Sequence, residues 1–502
     1  MSGLLQQGWL KNEELADRFL VRCVELSTER CLSQLSAAGG AAGGSESSQA
    51  QHKAAMSHID NLSKLILLLV RYHDEWRRIS SITPEGLVNK IIGATAHVLR
   101  KHHTERKTLF KQEPFHRLLS KLLIDLNEPM GEHTAYAVCE ALQALQPQNF
   151  SGFAFSWLEL ASHRLVMPRL LKVKNQRGWT LFNRLMVCIF AYLQPWLAKA
   201  DLNEPIKMLY KGTLRVLLVL LHDFPEFLCE YHFSFCDVIP PSCIQLRNLI
   251  LSAFPLQMAL PDPFTPQLKV DMLPEINKAP TILANFTTAI AAVPGLRGEL
   301  DAYLKGSGSQ GFLSKLQAQL MLPNGEVSVT GTRYNVPLIN SIVLYSAIYS
   351  IMLSQNQGKQ GPSTSGASME IYVKLVTDLD AEGRYLVINA IANQLRFPNS
   401  HTHYLSCVLL FIFQASNEYV REQITRVLIE RLIVNKPHPW GLLITFIELI
   451  KNKTYDLWKH DFVRSSREIE QLFQSVARFC LPQQHGQIGA ADGDGDSSKD
   501  GK

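Results

Sequence analysis

Apolar residues recur at intervals of three and four along nearly the whole chain. Ile59, Leu62, Ile66, Leu69 and Val70 fall on one side of a helical wheel. Ile469, Leu472, Phe473, Val476 and Cys480 do the same, opposite Glu470, Gln474 and Arg478. This spacing predicts amphipathic helices. Leu214, Leu217, Leu218 and Leu221 give a third stripe that stops just short of Pro225. Alternation with a period of two is nearly absent, Val327 and Val329 being the one short candidate. Helical segments punctuated by Pro, Gly or Asn follow one another, so the pattern predicts an all-α chain of helical hairpins. A helix with one apolar face must bury it against a neighbour, and a succession of them does so by stacking as HEAT-like repeats. No fixed repeat period is visible in the sequence.

Four stretches lack core-forming residues and are expected as loops or disordered chain: 36–51, rich in Ala, Gly and Ser, then 305–311, 355–368 and the tail 483–502. They leave an N-terminal helical segment at 1–35 and a main helical domain over 52–482. Within that domain Pro241, Pro255, Pro261, Pro263, Pro266 and Pro274 break helical continuity without a linker's polarity. Ordered irregular structure near 240–280, joining two stacks, is the expectation. The uncharged stretch 334–358 is interrupted by Pro337, Asn340, Ser341, Ser346 and Gln355, and reads as a buried helix rather than a membrane span.

Composition adds little beyond class. Of 502 residues, 46% are hydrophobic and 19% charged, which suits a globular chain with a sizeable core. Nine irregularly spaced cysteines fit a reducing compartment. The N-terminus carries Glu13, Glu14 and Asp17 and no apolar leader, so an intracellular, soluble protein is expected. A net charge of +5 does not by itself suggest a nucleic-acid binder. Distribution changes that picture in two places. No acid occurs over 160–200, where Arg164, Arg169, Lys172, Lys174, Arg177, Arg184 and Lys199 surround Trp179. A second basic stretch, 100–121, holds Arg100, Lys101, Arg106, Lys107, Lys111, Arg117 and Lys121. Solvated helix faces are the plainer reading, and an RNA-binding helical-repeat module using both stretches is the alternative.

Candidate chemistry is sparse. Gly306, Gly308 and Gly311 match the dinucleotide pattern, but a helix end precedes them where a strand is required. Asp492, Asp494 and Asp496 imitate the start of a calcium loop, with Ser497 where its glycine should be. Cys229, His232, Cys236 and Cys243 are the best metal-like set. They lie among Phe224, Phe227, Tyr231 and Phe235, where small apolar cysteines pack as core. His401, His403 and Cys407 lack the second half of a site. No G-x-S-x-G, H-E-x-x-H, Walker loop or spaced acidic cluster is present. No catalytic residue, cofactor or metal is expected.

Four blocks carry a resemblance. They are DLDAEGRYLVINAIANQLRFPNSHTHY at 378–404, EQITRVLIERLIVNKPHPWGLLITFIELIK at 422–451, FCDVIPPSCIQLRNLI at 235–250 and PDPFTPQLKVDML at 261–273. Together they resemble the C-terminal superfamily homology domain of the Not-one scaffold family of the CCR-NOT mRNA deadenylase complex, most closely over 202–480. The resemblance implies a HEAT-like domain that docks the two other Not subunits to form the Not module. It also implies that short motifs of RNA-binding repressors, Nanos among them, are received in support of mRNA deadenylation, decay and translational repression. Work in the cytoplasm, P-bodies included, and in the nucleus follows from the same likeness, with deadenylase chemistry left to other subunits. Family scaffolds are far longer, so the chain looks like a C-terminal fragment or short product.

Partner-binding candidates come from the residues themselves. Arg431 falls inside the apolar arc of Ile424, Val427, Leu428 and Leu432, where it snorkels or anchors a partner carboxylate. His438 and Trp440 begin a new helix after a sharp break, and an aromatic there suits either a partner pocket or the core. Arg396, in the first quoted block, completes the set. For the cysteine cluster, elemental analysis of the purified chain is expected to find no stoichiometric zinc. A bound zinc released by Cys236→Ser, with unfolding of that region, would overturn the packing reading.

Overall fold

Helix starts are marked by side chains that satisfy the first free backbone N–H groups. Asn203, Asn335 and Asn417 accept with Oδ1 from the N–H three residues on, at 3.0, 3.1 and 3.2 Å, and Thr83 does so with Oγ1 at 3.0 Å. A proline in the first turn follows three of these caps, at Pro84, Pro205 and Pro337. The computed structural model describes residues 12–38, 45–76, 80–172, 176–266, 268–309, 311–323, 325–327, 331–358 and 365–480.

The N-terminal stack is built from α1 (Glu13–Ala38), α2 (Ser45–Arg71), α3 (Pro84–Arg106), α4 (Glu113–Asp125), α5 (Asn127–Ala144), α6 (Ala154–Ala161), α7 (Met167–Lys172), α8 (Gln176–Lys199), α9 (Glu204–Asp223), α10 (Pro225–Val238) and α11 (Ile244–Leu251). An irregular strap with two short 3₁₀ turns, Val270–Met272 and Pro274–Asn277, then leads to α12 (Thr288–Ala292), α13 (Leu296–Leu304) and α14 (Phe312–Gln319). The C-terminal stack continues with α15 (Val336–Asn356), α16 (Ala367–Asp378), α17 (Ala381–Ala392), α18 (Ser400–Ala415), α19 (Glu418–Leu432), α20 (Trp440–Lys451) and α21 (Arg467–Cys480). Alternate helices touch. One layer runs α1–α3–α5–α8–α10–α15–α17–α19–α21, and another runs α2–α4–α6–α9–α11 before meeting α19. This is the two-layer logic of a helical-repeat solenoid, and it confirms the all-α, HEAT-like expectation.

Two apolar cores fill the stacks. The first gathers residues from Ala16 to Ala284, with Leu344 and Phe397 entering from the other half. The second runs from Ile290 to Ala477. The stripe of Ile59, Leu62, Ile66, Leu69 and Val70 is buried throughout. The uncharged stretch forms α15, whose Leu338, Ile342 and Ala347 are sealed in the core. The α9 stripe is shifted from its expected face. Ile206, Leu209, Val216, Leu217 and Leu220 are buried, while Leu218 is 51% exposed. Residues 216–221 are all apolar, so periodicity alone leaves the inward face open and packing chooses it. The loop expected over 36–51 is helical to Ala38 and again from Ser45. Its alanines favour helix and its serines do not forbid it; residues 39–44, 359–364 and 481–502 lie outside the described residues. Val327 is helical rather than extended, and Val329 lies outside the described residues.

The irregular segment is a strap rather than a linker. The Leu283 N–H donates to the Glu230 carbonyl at 3.0 Å, on the N-terminal stack. On the other side the Ser400 N–H donates to the Lys278 carbonyl at 2.9 Å, and Trp440 Nε1 to the Pro261 carbonyl at 2.7 Å. Beneath the strap the stacks meet across a buried polar seam. Arg247 Nη2 donates to the Ile239 carbonyl at 2.6 Å and its Nη1 to Asn393 Oδ1 at 3.2 Å. Arg431 Nη2 donates to the same Asn393 oxygen at 2.6 Å, and Asn248 Nδ2 to the Arg431 carbonyl at 2.6 Å. Arg396 Nη1 reaches the Cys229 carbonyl at 2.9 Å. All three guanidinium groups are buried, and none takes part in an ion pair among the described residues. Burial accordingly pushes Arg396 down to about 10 and Arg431 to about 9.

Backbone also approaches closely here. A Cβ on Gly441 would lie 2.4 Å from the Thr402 Cγ2 and 2.8 Å from the Leu395 carbonyl carbon. Arg431→Ala strands the Asn389 and Asn393 oxygens and opens a cavity. It is expected to lower stability by about 3–5 kcal/mol in urea unfolding. Gly441→Ala is expected to cost at least about 1–3 kcal/mol, because the nearest atoms include backbone.

Two histidines of the seam are held neutral. Burial lowers His401 to about 3 and His232 well below the usual imidazole range. The unfolded chain therefore binds more protons below the normal histidine value, and stability present above about pH 6.5 is lost as pH falls. At pH 5 the His401 shift costs about 2 kcal/mol, and His232 acts in the same direction. Asp237, raised to about 7 by burial, acts in the opposite sense. The comparison of His401→Gln with the parent removes that contribution: relative to the parent, the variant should gain about 2 kcal/mol between pH 7 and pH 5 in urea unfolding.

Candidate partner-binding surfaces

The residues singled out from sequence as partner anchors serve the joint inside the chain. Arg396 and Arg431 spend donors on carbonyl and amide oxygens of the seam, at 1% and 2% exposure. Trp440 is 4% exposed and is capped by the strap. His438 is half-buried in the turn before α20, where burial holds its imidazole below the usual range. Their inward placement has a physical reason. A guanidinium inside an apolar arc needs acceptors, and helix α17, packed against α19 in the same stack, and the residue after it offer Asn389 and Asn393, so Arg431 presents nothing outward.

The metal-like sets are likewise committed to packing. Phe227 and Phe235 stack edge-on with Phe182 and Phe190 around the cysteines of α10. Burial pushes the Cys229 thiol up to about 12 and raises Cys236 as well. The two His232 nitrogens face the Cys229 carbonyl at 2.9 Å and the Gln394 side chain at 3.3 Å. His401 is interior, whereas His403 bridges to Asp271 of the strap at 2.8 Å. Gly306 and Gly308 form the turn after helix α13, with no strand before them. Asp492, Asp494 and Asp496 lie outside the described residues.

The basic stretches are partly neutralised. Arg117 meets Asp60 through Nε and Nη2 at 2.8 and 2.9 Å. Lys101 meets Glu25 at 2.9 Å, Lys121 meets Asp125 at 3.2 Å, and Arg177 reaches Glu140 at 3.5 Å. Arg169 folds against Gly131, where an added Cβ would lie 2.1 Å from its Nη1. Lys174 is outside the described residues. These pairings support the plainer reading, helix faces knitted to neighbours.

What sequence reasoning missed is a groove where the stacks adjoin. It encloses 720 Å³. One wall comes from α8, the end of α10 and the Pro240–Pro241 turn, the other from Tyr334, Val336 and the α17 residues Glu382 and Tyr385. A second hollow of 640 Å³ continues it past Ser242, Glu382 and Tyr385 to Arg426 and Glu430 of α19. The only local signal was the Pro-Pro pair inside a quoted block, because the two walls are far apart in the chain. A further surface is the outer face of α9, where Met208 (62% exposed) and Leu218 lie alongside Lys211 and Arg215.

Comparison with known proteins places this architecture. The model of the family described as "CCR4-Not complex component, Not1" matches residues 115–477. The chain is 43% identical over 450 residues to "CCR4-NOT transcription complex subunit let-711" of Caenorhabditis elegans, covering 86% of this chain and 17% of that protein. It thus spans only about a sixth of the length of that relative. Among solved structures, the NOT1 superfamily homology domain from Chaetomium thermophilum superposes with a TM-score of 0.84 at 27% identity, over 96% of this chain and 93% of that one. A Not1 C-terminal domain in complex with Not4 superposes with a TM-score of 0.76 at 26% identity, over 94% of each. The Pro-rich strap, the blocks that build the seam and the helical stack from α5 onward fall within the matched region, and the chain belongs to the Not1 family, the scaffold subunits of the CCR4-NOT complex.

Proposed function

We propose that the chain is a docking platform of a Not1 scaffold: it binds the two other Not subunits, receives short motifs of RNA-binding repressors such as Nanos, and so supports mRNA deadenylation, decay and translational repression. It acts through binding alone, in the cytoplasm, P-bodies included, and in the nucleus, while the nuclease steps fall to other subunits. The observation that carries this reading is that a similar Not1 C-terminal domain forms a complex with Not4. The surfaces agree with it. Inter-helix grooves and the exposed Met208 and Leu218 offer seats for apolar anchors, and extended segments that order on binding need large contact area with a few buried anchors.

Affinity built on apolar burial is insensitive to salt, whereas phosphate contact is steeply sensitive. Co-purification of this chain with the C-terminal regions of the two Not subunits is expected to persist from low to moderate salt. Binding of an RNA oligomer, if measurable at low salt, is expected to be lost over the same range. Loss of the subunits at moderate salt together with tight RNA binding would favour the RNA-binding reading instead.

A further inference from the structure

We propose that the groove between the two stacks seats an extended segment of a partner protein and that a lysine or arginine of that segment docks against Asp237. This names the chemistry of one docking site and rests on the scaffold reading above.

Asp237 sits at the C-terminal end of α10 and lines the groove. Its Oδ1 accepts from Asn340 Nδ2 at 2.8 Å, and it has no ion pair among the described residues. The neighbouring acids are already answered. Glu382 is met by Arg333 Nε at 3.1 Å and by the Thr332 hydroxyl at 2.6 Å. Glu430 is met by Arg426 at 2.8 Å and by the Tyr385 hydroxyl at 3.1 Å. Arg247 of α11 is the cation nearest in effect to Asp237, yet its donors go to Ile239, Cys236 and Asn393. Cys236 precedes Asp237 on its own helix, and Glu326, Glu382, Tyr334 and Tyr385 face it across the groove. From α8 come Ala191, Gln194 and Ala198, none of them charged. The site therefore has an acidic end that this chain leaves unmatched.

Shape and walls suit a peptide. The 720 Å³ groove and the 640 Å³ hollow share Ser242, Glu382 and Tyr385 in their walls, and two adjoining cavities fit an extended chain better than one compact ligand. Pro240, Pro241, Val336 and Leu386 supply apolar surface along which the stem of a lysine or arginine can lie, its charge reaching the carboxylate. Acidic lining repels phosphate, so the occupant is protein rather than RNA. Since the walls come from both stacks, an occupant also braces one against the other.

Burial holds the Asp237 carboxyl up at about 7. A docked cation favours the ionised form, so protons and ligand compete. Affinity should fall about tenfold from pH 8 to pH 6, the change in ionised fraction around that value.

The test is fluorescence anisotropy on the whole chain with two labelled synthetic peptides. One alternates lysine with leucine and proline; its twin carries glutamate in place of lysine. The lysine peptide should bind, the glutamate peptide should not, and binding should weaken about tenfold between pH 8 and pH 6. Asp237→Asn keeps the oxygen that Asn340 contacts and should abolish both the lysine preference and the pH dependence. Ser242→Trp, at an exposed position shared by groove and hollow, should block binding without touching any charge. Equal binding of the two peptides, or pH-dependent binding that survives Asp237→Asn, would sink the proposal. Lysine-peptide binding by a chain that fails to co-purify with Not subunits would sink the scaffold reading alone. Co-purification without lysine-peptide binding would sink the groove assignment alone.

Discussion

Three guanidinium groups with no carboxylate beside them lie where the two helical stacks meet, and the chain's shape depends on how their charge is accommodated. A buried cation is costly unless acceptors surround it. Here the acceptors are the carbonyls of Cys229, Ile239 and Asn389 and the side chain of Asn393. Three bonds run between the stacks, from Arg247 to Asn393, from Asn248 to the Arg431 carbonyl and from Arg396 to the Cys229 carbonyl, and these form only when the stacks are correctly apposed. Apolar packing alone tolerates small rotations between stacks. A network of directional bonds to fixed oxygens does not, and this is why the seam sets their relative position.

From that joint the outer surfaces follow. The strap from Pro261 to Leu283 is held over the seam by bonds to both stacks, and it covers Trp440 and His403. Beside Asp237 the stacks do not close, and the groove is what remains. A scaffold subunit needs surfaces that stay in register while partners come and go. A rigid internal joint beside an open groove supplies both, and residues of conspicuous chemistry can serve that joint rather than a partner.

The regular part of the fold was legible in the sequence because amphipathic helices announce themselves locally. The stripe beginning at Ile59, the buried α15 and the capping asparagines are each determined by residues within a few turns of one another. The strap was legible as ordered irregular structure because prolines without polarity mark it. Local pattern failed where it was degenerate. Along α9 nearly every position from Leu214 to Leu221 is apolar, and only the neighbouring helices decide that Leu218 faces out. In the 36–51 stretch the composition suggested a loop, yet alanine and serine accept helix once a hairpin partner is present.

For the site the division is sharper. Sequence determined the family, the helical-repeat class, and that Arg396, Arg431 and Trp440 are unusual residues in their surroundings. It could not say whether an arginine in an apolar arc looks out to a partner or in to the chain, because that depends on acceptors supplied from elsewhere: Cys229 is 167 residues from Arg396. Only the tertiary structure brought those acceptors together and turned the arginines inward. The same long-range apposition set the Pro240–Pro241 turn opposite Glu382 and Tyr385, and so decided where the groove lies. No local spacing encodes such a place, since it exists only between two stacks whose angle a buried polar seam has fixed.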